Sequence, residues 1–211
     1  MTGPEATDIT DAVEAVRAGD LVIYPTETVY GLGADATQTA AVEAVYDAKG
    51  RDRGKPVSIA IPSLATVNRY STPSDLAQRF MRAFLPGPVT VIVPRRPEVV
   101  VDAVTAGGAS VGIRLPAHPV AQRLLTAVDP IPLTATSANR SGAPAVTDLR
   151  SLDHRLLDAV EESLDAGILD GSAPSTVVDP DANHIYRSGP LVRAVDVWLT
   201  GAHGHGPTYQ D

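Results

Sequence analysis

A short apolar run, Leu21-Val22-Ile23, meets Tyr24-Pro25 and has to stop there. Proline has no backbone N–H to give a sheet ladder, and it holds the residue before it in extended geometry. Thr26, Glu27 and Thr28 follow, placing two hydroxyls and a carboxylate just past the carboxyl end of a strand. Gly31 and Gly33 then allow backbone angles and close approaches that a side chain would block. Ligands of open α/β sheets bind outside strand carboxyl ends, so residues 24–34 are a candidate site. On these residues alone, an ordinary strand and turn is the slightly better reading.

Strand and helix patterns alternate along the rest of the chain. Ile9, Val13 and Val16 share one face of a helix that Thr10 would cap and Gly19 would stop. A second helix, capped by Thr37 and apolar at Val42, Val45 and Tyr46, runs to about Ala48. Its end delivers Lys49-Gly50-Arg51-Asp52-Arg53-Gly54-Lys55, four cations in a glycine-broken loop. Residues 57–61 alternate as a strand, and 63–70 and 74–84 read as helices. Residues 89–93, all β-branched, suit a strand buried on both faces. Further strands are predicted at 110–115, 131–134, 175–178 and 184–187, with helices at 119–128, 148–160 and 191–199. With no internal repeat and no long linker, the pattern predicts one α/β domain over 1–200 and a disordered tail at 201–211.

Composition narrows the function classes. At 211 residues and 44% apolar content the chain can bury a sizeable core, built mainly from alanine and valine. The absence of cysteine excludes disulfides, thiolate metal sites and cysteine nucleophiles. A net charge of −8 argues against general adhesion to nucleic acid or anionic membranes, yet permits a local basic pocket. The only two lysines, Lys49 and Lys55, lie in the same short loop. No long apolar run or basic-then-apolar leader appears, so a soluble cytoplasmic protein is expected.

Polar candidates gather where elements end. Lys49, Arg51, Arg53 and Lys55 suit phosphates, lysine as a point charge and arginine as a two-pronged fork. A solvated loop paired with Asp47 and Asp52 explains them about as well. Ser137 and Asn139, within Thr136-Ser137-Ala138-Asn139-Arg140-Ser141-Gly142, could bind a ligand; a self-satisfied turn is the stronger reading of that loop alone. Ser175 precedes a strand, and Arg114 and Arg187 each end one, where a cation can clamp a ligand or join an ion pair. No phosphate-binding P-loop, third dinucleotide glycine, zinc-protease helix or serine-hydrolase elbow is present.

In this order and spacing, Tyr24–Ala34, Lys49-Gly50-Arg51, Pro86-Gly87-Pro88-Val89-Thr90, the 114–119 run Arg-Leu-Pro-Ala-His-Pro, the 136–142 loop, the 175–179 run Ser-Thr-Val-Val-Asp, and Arg187 with Gly189 resemble the threonylcarbamoyl-AMP synthase family. The resemblance covers the chain to about residue 190 and fits the short, single-domain form. It implies a YrdC-like twisted mixed sheet flanked by helices, with a concave, positively charged cleft. It also implies a reaction: L-threonine, bicarbonate or CO2, and ATP give threonylcarbamoyl-AMP and pyrophosphate, feeding tRNA modification. By the family pattern Lys49 and Arg51 are catalytic and hold phosphates with Ser137, Asn139 and Arg187. Thr26, Arg114 and Ser175 hold threonine, and Mg2+ accompanies ATP. A downstream threonylcarbamoyl transferase complex is the implied partner, with at most weak contact to tRNA or other RNA and none to membrane. The chain departs from the pattern at Ala60, where the family carries a histidine, in the extra charge of 51–55, and in the lead-in 170–174. A relative acting on a different small molecule, or an RNA-binding module, are the alternatives.

Overall fold

The computed structural model describes residues 7–171 and 173–210. Among them, ten strands form one mixed sheet: β1 (Val22–Tyr24), β2 (Gly31–Gly33), β3 (Ser58–Ala60), β4 (Val89–Pro94), β5 (Ser110–Arg114), β6 (Leu133–Ser137), β7 (Glu162–Ser163), β8 (Thr176–Asp179), β9 (His184–Arg187) and β10 (Thr208–Tyr209). Their order in space is β10-β9-β8-β4-β5-β3-β6-β2-β1-β7. Parallel pairs such as β3 with β5 and β4 with β8 alternate with antiparallel ones such as β4 with β5.

Helices cover both faces, and the two-residue period of the strands decides what each covers. On one face Val91, Val93, Val111, Ile113, Val178 and Ile185 meet Phe80 and Met81 of α4 (Asp75–Phe84) and Val195 and Leu199 of α8 (Val192–His203). Ile23, Leu32 and Ala34 extend that face against Ala41 and Val45 of α2 (Thr39–Lys49). On the other, Val22, Tyr24, Ala60 and Leu133 pack under α1 (Thr10–Ala18) and α6 (Pro119–Ala127). These two helices leave the middle of their face, over β3, β5, β4 and β8, without a helical cover.

Several sequence expectations change for local reasons. β2 carries no strand signal in Gly-Leu-Gly, yet its backbone pairs with β1 and β6. Its glycines serve close approach: a Cβ on Gly31 or Gly33 would come within 3.0 or 2.9 Å of the Tyr24 ring. Neither Thr10 nor Thr37 caps its helix. Asp8 and Asp35 accept from the backbone N–H groups and hydroxyls of those threonines instead, a carboxylate being the stronger acceptor. The helix predicted at 148–160 is broken into a 3-10 turn at Leu149–Ser151 and α7 (His154–Leu157). Asp148 and Asp153 each accept from the N–H two residues on, a local bond that competes with a continuous helix.

The disordered tail predicted at 201–211 is also corrected over 201–210; Asp211 lies outside the described residues. Helix α8 continues to His203, and β10 then adds a parallel strand to the otherwise open edge of β9. Asn183 Nδ2 donates to the Gly206 carbonyl at 3.2 Å, and Tyr209 Oη to Asp196 at 2.7 Å. Among the described residues no helix is long and apolar enough to cross a membrane.

Candidate active site

The uncovered middle of the sheet is the floor of a cavity of about 720 Å³, within the roughly 300–1,000 Å³ usual for small-molecule sites. Alternation supplies its lining: Thr90 and Ile92 from β4, Ser110, Gly112 and Arg114 from β5, Ser58 from β3, and Ser175 and Val177 at β8. Residues 89–93 are buried as expected except for the half-buried Ile92, but on this face a cavity rather than a helix lies over them. Gly112 keeps the floor flat, because a Cβ there would lie 2.4 Å from Ser58 Oγ.

One wall is made by a bulge. Val177 pairs with Arg187 and Val178 with Ile185, so Tyr186 has no opposite residue. An extra residue lets two neighbours share one face, and both Tyr186 and Arg187 line the cavity. Arg187 Nε donates to the Ser175 carbonyl at 2.9 Å and Nη2 to Ser175 Oγ at 3.1 Å. Ser175 Oγ also shares a 2.8 Å bond with Thr90 Oγ1. Burial, then the charges of Arg114 and Arg51, push the Arg187 pKa down. Arg187 is nonetheless an exposed residue of the cavity lining.

At the β1 end the 26–29 turn is held by a chain of hydrogen bonds. Arg114 Nη2 donates to Glu27 Oε1 at 2.5 Å and to Thr28 Oγ1 at 3.3 Å. Thr28 and Thr26 hydroxyls are 2.9 Å apart, and Thr26 Oγ1 donates to the Val29 carbonyl at 2.6 Å. Since the Thr26 proton is spent on Val29, the Thr28 hydroxyl is the donor between the two. Glu27 Oε2 accepts from the Ala117 N–H at 2.9 Å. Burial lowers the Arg114 pKa, and Glu27 opposes that shift.

The cationic loop divides. Arg51 and Lys55 line the cavity, while Arg53 turns away to Glu43 and Asp47 at 2.5 and 2.6 Å. Arg51 is fixed by its own loop, Nε to the Lys55 carbonyl at 3.1 Å and Nη2 to the Pro56 carbonyl at 2.9 Å. Among the described residues, Arg51, Lys55 and Arg187 have no carboxylate partner. Lys49 and Asn139 lie behind the wall. Lys49 is 3% exposed, and its Nζ donates to the Ser137 carbonyl and, at 2.6 Å, to the Asn139 carbonyl. Asn139 Oδ1 accepts from Ser137 Oγ, and Nδ2 donates to the Ala143 carbonyl at 2.6 Å. Together they brace the loop that sets Ser137 in the lining.

Burial, helped by the charge on Arg51, pushes the Lys49 ammonium down to about 8 from an ordinary 10.5. Between those values the unfolded chain keeps a proton that the folded chain has released, so this group adds stability as pH rises from 8 to 10. Lys49→Met should remove that rise. Urea titrations at pH 7.5 and 10 are expected to show the wild type gaining on the variant; parallel profiles would contradict a buried, depressed lysine.

Six of the eight residues given a role by the family resemblance thus line one cavity: Thr26, Arg51, Arg114, Ser137, Ser175 and Arg187. Thr28 and Lys55, named among the candidates, line it as well, while Ser58, Thr90, Tyr186 and Gln210 also line it and were missed. Alternation within 57–61 and 89–93 could have marked Ser58 and Thr90; nothing in the sequence announces the bulge or β10. Ala60 stays in the core beneath α6.

The Sua5/YciO/YrdC family model, described as telomere recombination, matches residues 14–189. The chain belongs to this family. A protein of Mycobacterium tuberculosis H37Rv, provisionally named threonylcarbamoyl-AMP synthase, is 42% identical over 87% of this chain and 84% of its own length. The Bacillus subtilis 168 threonylcarbamoyl-AMP synthase is 37% identical over 88% of this chain and 54% of its own. The crystal structure of P. abyssi Sua5 complexed with L-threonine superposes with a TM-score of 0.81 at 32% identity, covering 93% of this chain and 57% of that one. This member of the Sua5/YciO/YrdC family therefore spans little more than half the length of those last two proteins. Its α/β architecture, a mixed twisted sheet flanked by helices, is the one that P. abyssi Sua5 has.

Proposed function

We propose that the protein is an enzyme, a threonylcarbamoyl-AMP synthase that acts as a nucleotidyltransferase on L-threonine, bicarbonate or CO2, and ATP. One observation carries the chemistry: a single cavity joins a hydroxyl-rich end at Thr26 and Thr28 to Arg51 and Arg187, which lack carboxylate partners among the described residues. The kinship with proteins named for this synthesis supports the reading.

In this reading the threonine amine loses a proton and adds to the carbon of CO2, or to bicarbonate with release of water. The resulting carbamate oxygen attacks the α-phosphorus, forming an O–P bond as the bond to the β-phosphate bridge breaks and pyrophosphate leaves. Arg51 and Arg187 would stabilise charge gathering on the α-phosphate and leaving group, and Ser137 Oγ would donate to a phosphate oxygen on giving up its bond to Asn139 Oδ1. Thr26 and Thr28, with Arg114 behind them, would orient threonine, and Ser175 would reach the same substrate. Among the described residues no group of three or more His, Asp or Glu is placed to hold a metal ion. Mg2+ would instead be carried in on the ATP phosphates, as is common for this ion. The product would pass to a transferase complex acting on adenosine 37 of tRNA, within the cytoplasm.

Purified protein given ATP, Mg2+ and bicarbonate should release pyrophosphate only when L-threonine is added. Release that ignores threonine, or that is equal with alanine in its place, would show the substrate assignment to be wrong.

A further inference from the structure

The family match ends at residue 189, yet the cavity does not. Strand β10 pairs parallel to β9, with Thr208 beside His184 and Tyr209 beside Ile185, so Gln210 stands next to Tyr186. Gln210 N–H donates to the Ile185 carbonyl at 3.0 Å, which fixes that register. Alternation then separates the two neighbours on β10. Tyr209 turns to the helical side, where its hydroxyl donates to Asp196 of α8 at 2.7 Å. Gln210 turns to the opposite side and lines the cavity.

The same end of the cavity carries apolar surface. Ile92 and Val177 form the floor, Gly108 and Ala109 add little bulk, and Tyr186, raised by the bulge, is 43% exposed. An aromatic ring beside a smooth apolar floor suits a flat base by stacking. A primary amide at its rim offers one donor and one acceptor side by side, the pair that matches the N6 and N7 edge of adenine; guanine presents two acceptors there.

We propose that β10 completes a nucleobase subsite, with the Tyr186 ring as its platform and the Gln210 amide as the residue that selects adenine. This rests on the reading of the cavity as a nucleotide site. It makes the segment after residue 203 part of the site rather than an appendage. Glutamine is the specificity determinant because the apolar floor would accept any purine.

Calorimetric titration of the full chain with ATP and, separately, GTP tests the proposal without requiring turnover. Wild-type protein is expected to prefer ATP, and Gln210→Ala should lower the ATP-to-GTP affinity ratio by about tenfold. Tyr186→Ala should weaken both nucleotides together and leave their ratio within about twofold. Tyr209→Phe, which loses only the bond to Asp196, should change neither, and it controls for loosening of the strand. An unchanged ratio in Gln210→Ala overturns the proposal, as does equal wild-type binding of the two nucleotides. Wild-type protein that binds ATP selectively but makes no threonine-dependent pyrophosphate would instead overturn the proposed activity while leaving this subsite standing.

Discussion

Glu27→Ala should cost about 3–5 kcal/mol of stability, because it leaves a buried guanidinium without its counter-charge. Arg114 has 6% of its side chain exposed and Glu27 20%, so water cannot replace the lost carboxylate fully. The substitution also strips the Ala117 N–H of its acceptor. Against a usual total of roughly 5–15 kcal/mol, that loss places the variant close to unfolding. A paired replacement, Glu27→Leu with Arg114→Met, should recover much of the stability, since it removes both charges and keeps apolar volume in place. It should not recover turnover, because the donor behind Thr28 is gone. Equilibrium urea unfolding of the three proteins decides the matter: a Glu27→Ala loss below about 1 kcal/mol would mean the pair is hydrated enough to be treated as a surface ion pair.

The contrast between Glu27 and the rest of the site shows what the sequence carries. Strand cores were legible because β-branched runs such as 89–93 have few other uses, and α4 lies where residues 74–84 read as a helix, with Ser74 accepting from the Ala77 N–H at 3.0 Å at its start. The pairing of Glu27 with Arg114 was not, since the two are 87 residues apart and meet only when β1 and β5 lie in one sheet. The same holds for β2, whose Gly-Leu-Gly has no propensity for a strand and takes its form from β1 and β6. Helix 148–160 failed the other way: its periodicity was adequate, but two aspartates bound their own backbone first. Lys49 shows a subtler limit. Scarcity of lysine and its neighbour Arg51 drew attention to a loop that lines the cavity, but residue type alone does not say whether an ammonium faces that cavity or two carbonyls.

Arg51→Ala is expected to lower kcat/KM for threonine-dependent pyrophosphate release by roughly 100- to 1,000-fold, the usual cost of losing one preorganised charged donor. Its fold should survive, because the side chain faces the cavity and bonds only two carbonyls of its own exposed loop. Lys49→Ala should lower activity too, but by another route. It leaves the Ser137 and Asn139 carbonyls without their donor in a buried place, so the loop presenting Ser137 relaxes and the melting temperature falls. Arg51→Lys separates charge from geometry: it keeps a cation in the cavity and gives up the fork that grips the loop. If charge near the phosphates is what matters, Arg51→Lys should regain at least tenfold over Arg51→Ala. If the two variants are equally poor, the fork's hold on Lys55 and Pro56 is the larger contribution. Wild-type turnover in Arg51→Ala would remove Arg51 from the phosphate chemistry altogether, leaving Arg187 and Ser137 as the groups that face the developing charge.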